Sequence, residues 1–109
     1  MDDNRRRAPR YGVEVDGIIR GADGATQTVA IANLSVDGCR FTAPGRRIAA
    51  GTLLTFEVGP AGPLQAQVAW RVGAVHGVSF DEPLHPAVLD HIRLFLSTEP
   101  ALIEERAAA

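Results

Sequence analysis

YGVEVDGIIRGADGATQTVAIANLSVDG, residues 11–38, decides how the chain folds. Tyr11, Val13, Val15, Gly17 and Ile19 alternate with Gly12, Glu14, Asp16, Ile18 and Arg20. A period of two is that of a half-buried strand. Asp23-Gly24 then supplies a hairpin turn signal. Thr26 to Ala32 is β-branched and apolar, which makes it the return strand, and Asn33 to Gly38 reads as a turn.

Downstream the same grammar repeats. Cys39–Ala43 is a short third strand ended by Pro44-Gly45, and 46–51 is a loop. Leu53–Val58 is a fourth strand, followed by the turn 59–63. In the fifth, Leu64, Ala66, Val68 and Trp70 share one face, so Trp70 is expected in the core. Ala74–Phe80 is a sixth, with His76, Val78 and Phe80 on one face. Pro86 suits a first helical turn. Val88, Leu89, Ile92, Phe95 and Leu96 then mark an amphipathic helix over about 86–97. Six short strands and one helix predict an all-β fold, an antiparallel barrel or sandwich with a helix covering its seam. Residues 98–109 read as a tail, disordered or with one more helical turn.

Residues 1–10 lack periodicity and read as a flexible arm. All 11 basic residues of the chain are arginines, and four of them are Arg5, Arg6, Arg7 and Arg10. Codon bias accounts for the missing lysines but not for that clustering. The chain is 109 residues long with a net charge of −2. Residues 1–47 hold 8 arginines against 6 acids, and residues 48–109 hold 3 against 7. The acidic balance argues against a general binder of nucleic acid or anionic membrane. One Trp and one Tyr are too few for a single-strand stacking platform. No apolar run reaches the ~20 residues of a membrane-spanning helix. The single cysteine, Cys39, excludes an internal disulfide and favours a cytoplasmic setting.

Catalytic chemistry finds little support. His76, His85 and His91 form no zinc motif, and Cys39 reads as a small buried apolar residue. Asp81 and Glu82 read as turn residues. No catalytic residue, metal ligand or cofactor is expected. Arginine, by contrast, offers a planar fork that binds phosphate and guanine edges bidentately. Asn33 and Ser35, two apart in an extended segment, share a face. Gly38 permits a positive φ and close backbone approach.

Arg6-Xxx-Xxx-Xxx-Arg10, a β-hairpin, then Asn33-Xxx-Ser35-Xxx-Xxx-Gly38 resembles the two signatures of the PilZ domain, in that order and at about that separation. Trp70 ending one strand, Gly77-Val78-Ser79-Phe80 in the next and the closing helix extend the resemblance over about residues 5–97. It implies a six-stranded antiparallel β-barrel, PilZ-like, at 11–97, with the arm at 1–10. It also implies a receptor for the bacterial second messenger cyclic di-GMP, acting as an adaptor toward a downstream protein in motility, biofilm or exopolysaccharide control. Arg5, Arg6 and Arg10 would meet the ligand from the arm, and Asn33, Ser35 and Gly38 from the barrel. Arg7 and Trp70 are secondary candidates. Position 33 is Asn where the family more often has Asp, which removes a charge. The alternative is a PilZ-fold interaction module that binds protein without nucleotide.

Overall fold

The computed structural model describes residues 8–98 and the backbone of 102–103. The strands are β1 (Tyr11–Arg20), β2 (Thr26–Leu34), β3 (Gly38–Thr42), β4 (Leu53–Val58), β5 (Ala61–Val72) and β6 (Val75–Phe80). They pair antiparallel in the order β2-β3-β6-β5-β4-β1, and β1 also pairs with β2. The sheet therefore closes into the expected six-stranded barrel. Closure leaves no long unpaired strand edge between its members.

Inward positions follow the period-two reading. Ile19, Val29, Ile31, Phe41, Phe56 and Val68 are buried, and the rings of Phe41 and Phe56 lie 5.5 Å apart at 58°. Such tilted aromatic pairs contribute roughly 0.5–1.5 kcal/mol beyond their buried area. His76 shares this interior. Its ring stacks on Phe41 at 5.1 Å, and its Nε2 accepts the Ile48 N–H at 2.9 Å. That bond fastens the loop between β3 and β4 to β6, with Ile48 itself buried. Among the described residues His76 Nδ1 has no hydrogen-bond partner.

Four expectations are corrected. β2 runs on through Asn33 and Leu34, and β3 is Gly38–Thr42, so the turn shrinks to 35–37. Trp70 is 44% exposed rather than in the core. A bulge between Val68 and Trp70 reverses the alternation there, as an extra residue in a ladder must. The helix α1 (Pro86–His91), capped by His85 Nδ1 accepting the Ala87 N–H at 3.0 Å, gives way to a π-helical turn over Ile92–Leu96. The wider i→i+5 bonding, seen in Ser97 N–H to the Ile92 carbonyl at 3.0 Å, slows the rotation per residue. Ile92 stays buried and Leu96 packs on the core, while Phe95 turns out to solvent. Finally, Leu102–Ile103 forms a seventh short strand, β7, on the edge of β1, where a tail was expected.

This closing segment holds the start of β1. Ser97 Oγ accepts the Glu14 N–H at 2.8 Å, and Thr98 donates through its backbone N–H to the Glu14 carbonyl at 2.9 Å. The Arg93 guanidinium sits 4.3 Å over the Tyr11 ring, and β7 pairs with Tyr11 and Gly12. The point where the chain emerges from residue 10 is thus fixed to the barrel.

Candidate functional site

The site begins with the turn between β2 and β3. Ser35 donates its N–H to the Gly38 carbonyl at 2.9 Å, and its Oγ accepts the Asp37 N–H at 3.1 Å. The Ser35 hydroxyl also reaches the Gly38 carbonyl at 3.4 Å. A short side chain that accepts from the backbone two residues on is the usual serine turn device. The Asp37 and Val36 carbonyls accept from Phe80 and Leu84 N–H, each at 2.8 Å. The turn is therefore bonded to β6 and to the segment after it.

Gly38 serves this arrangement by its size. It does not lie at positive φ, contrary to the sequence expectation. A Cβ there would collide with the Val78 carbonyl oxygen on the neighbouring strand, and no flexible side chain is available to yield. Glycine alone lets β3 and β6 meet at the Gly38–Ser79 register.

Arg10 reaches the turn from the chain start. Its Nη1 donates to Asn33 Oδ1 at 2.8 Å. Residues 23 apart in sequence, one from each motif, thus meet directly. Asn33 and Ser35 are themselves only 4% and 1% exposed. Their side chains shape the turn and hold Arg10; little of either faces outward. Beneath them Cys39 is buried, and burial pushes its thiol pKa far up against a weaker opposing pull from Arg10. It stays a neutral thiol, which is no nucleophile.

Arg10 and Ser35 open onto a cleft of about 630 Å³. Ala8, Asp37, Val78, Ser79, Phe80 and Asp81 complete its lining. No group of three or more His, Cys, Asp or Glu among the described residues could hold a metal ion. No helix among them is long and apolar enough to cross a membrane.

The family model of the PilZ domain matches residues 4–97. The chain belongs to the PilZ domain family. Its members are, in general, receptor domains for cyclic di-GMP, binding modules rather than enzymes. No curated protein matches the chain.

Within this PilZ domain the sequence-derived candidates separate into three groups. Arg10, Asn33, Ser35 and Gly38 come together at one end of the barrel. Arg5, Arg6 and Arg7 lie outside the described residues. Trp70 stands apart from the cleft lining but on a connected row. Asn33 pairs with Arg40, Arg40 with Gly77, and Gly77 with Trp70. Three strand spacings put Trp70 roughly 14 Å from Asn33. Its indole lies across Gly77, in the space a side chain there would fill. Sequence reading passed over Asp37, Ser79 and Asp81 as site residues. The signal that finds them is register: Gly38 opposite Ser79 carries Phe80 and Asp81 alongside the turn.

Proposed function

We propose that this PilZ domain is a cyclic di-GMP receptor that grips the ligand between its arginine arm and the cleft beside the β2–β3 turn. The observation that carries this reading is the Arg10–Asn33 hydrogen bond, which joins the two motifs at the mouth of a cleft. Arg10 is held where its remaining N–H donors can address a phosphate or a guanine edge. Arg5 and Arg6, with Arg7 in support, supply the positive charge that a dianion requires. Asn33, Ser35 and Gly38 act mainly by building the turn and positioning Arg10. Trp70 offers an exposed indole on the same row as Asn33, a stacking surface for a base that extends beyond the cleft.

The mechanism is charge neutralisation of the arginine arm by the ligand. Four closely spaced arginines repel one another, and a ligand with two phosphates neutralises them against the barrel. The bound arm then covers a different surface, which a downstream protein senses. No cofactor takes part, and the setting is the cytoplasm.

Calorimetric titration of the full chain with cyclic di-GMP tests this. Saturable binding is expected, weakened at least roughly 10-fold by Arg10→Lys, which keeps the charge and loses the planar fork. Absence of binding at high micromolar ligand overturns the reading and leaves a module that binds protein alone.

A further inference from the structure

An arginine-centred account leaves two carboxylates in the cleft without a role. Asp37 and Asp81 line it beside Arg10. Both are placed by their backbones. Asp37 donates its N–H to Ser35 Oγ and accepts from Phe80, while Asp81 donates its N–H to the Gln65 carbonyl at 2.8 Å. Among the described residues neither carboxylate has a hydrogen-bond or ion-pair partner. Toward phosphate they are unfavourable, since like charges at close range repel. One arginine and two aspartates make the described lining net negative. Something other than phosphate must gain from them if the site binds a dinucleotide.

A carboxylate only accepts hydrogen bonds. On a cyclic dinucleotide the matching groups are N–H donors on a base. Guanine presents a ring N–H beside an exocyclic amine on one edge, a pair of donors that fits one carboxylate. Adenine presents an amine beside a bare ring nitrogen, and that nitrogen would face a carboxylate oxygen lone pair to lone pair. Of the neutral polar groups nearby, two are already engaged, and the third, the Ser79 hydroxyl, has a single oxygen where a pair of parallel donors needs two. Asn33 Oδ1 holds Arg10, and Ser35 Oγ holds the turn. Base reading therefore falls to the charged pair at the cleft surface.

We infer that Asp37 and Asp81 determine base specificity, accepting from the donor edge of guanine and rejecting adenine. This rests on the cyclic di-GMP reading above. Rejection comes from building an unpaired acceptor into the site, so selectivity costs some phosphate affinity.

The test compares cyclic di-GMP with cyclic di-AMP by calorimetry on the wild-type chain, Asp37→Asn and Asp81→Asn. Asparagine keeps size and backbone bonds, but it presents a donor beside an acceptor, the pattern adenine requires. At least one variant is expected to lose cyclic di-GMP affinity by about 10- to 100-fold, because a bidentate base contact carries that order of discrimination. Its preference over cyclic di-AMP should narrow by at least as much. Melting temperatures confirm that the variants fold. If both ligands tighten together, the carboxylates only repel phosphate and the inference is wrong. Unchanged affinities overturn it equally. A wild-type chain that binds neither dinucleotide instead removes the receptor reading itself, which distinguishes the two failures.

Discussion

The two ends of the barrel use the same device for different purposes. At the cleft end, Ser35 is buried and its Oγ accepts a loop N–H from Asp37. At the opposite end of the β3–β6 pair, His76 is buried and its Nε2 accepts a loop N–H from Ile48. Each ties a loop down through one side-chain acceptor. The loops differ in what they present. The first places Asp37 beside Arg10 in a cleft, while the second buries Ile48 in the core. Burial of a polar group therefore marks a fastening point, and function depends on what the fastened segment carries at the surface.

The largest effect is expected at Gly38, where fold and site coincide. In Gly38→Ala the new methyl meets the Val78 backbone carbonyl, so β3 and β6 must part or shift. Overpacking against backbone costs roughly 4 kcal/mol. That corresponds to a fall of about 15 °C or more in melting temperature for a domain of this size. Thermal denaturation followed by circular dichroism measures it. A variant as stable as the wild type would show that the strand pair tolerates a side chain, and the cleft would lose its main geometric constraint.

Gly38 also shows how far the sequence could be read. Six strands and a closing helix were legible, because alternation and turn residues are local patterns, and closure into a barrel followed from the resemblance to the PilZ family. Strand order and the direct bond from Arg10 to Asn33 depend on partners distant in sequence and came only with the structure. The need for glycine at 38 was legible, but its cause was not. Positive φ is a property of one residue, whereas collision with Val78 depends on a partner strand 40 residues away. Trp70 and Phe95 were misplaced for a related reason. A β-bulge and a π-helical turn each change the periodicity on which facing is assigned, and neither has a marker in residue type. Asp37 and Asp81 were hidden because register alone brings them together.

The comparison of the two ends is broken or sharpened by a pair of truncations. His76→Ala removes a stacked ring and strands the Ile48 N–H, at a cost of roughly 3 kcal/mol. Ser35→Ala removes only a hydroxyl and costs roughly 1–2 kcal/mol. Ligand affinity is expected to rank them the other way. With both proteins held well below their melting temperatures, His76→Ala should bind cyclic di-GMP as the wild type does. Ser35→Ala should lose about 10-fold, because the turn that positions Asp37 and Arg10 loosens. Equal losses of affinity would mean that the ends are coupled through the barrel and that the distinction drawn between them fails.

The smallest effect separates the ends by pH. Burial is the main cause that lowers the His76 pKa from its ordinary 6.5, and the nearby Arg71 and Arg46 charges act in the same direction. The Ala74 backbone opposes them without completing a hydrogen bond. With a depressed folded pKa, the unfolded chain takes up a proton first as pH falls below about 6.5. In that window the unfolded state binds more protons, so stability must decrease as pH falls. Once His76 is protonated, Nε2 becomes a donor facing the Ile48 N–H, and the loop loses its acceptor. Ser35 does not titrate, so the cleft-end fastening has no such dependence. His76→Gln keeps an acceptor amide without a titrating group. Melting temperatures measured from pH 7.5 downward should therefore fall more steeply in the wild type than in His76→Gln. Parallel curves would show that His76 exchanges no proton on unfolding, and that the far end is as indifferent to pH as the turn at Ser35.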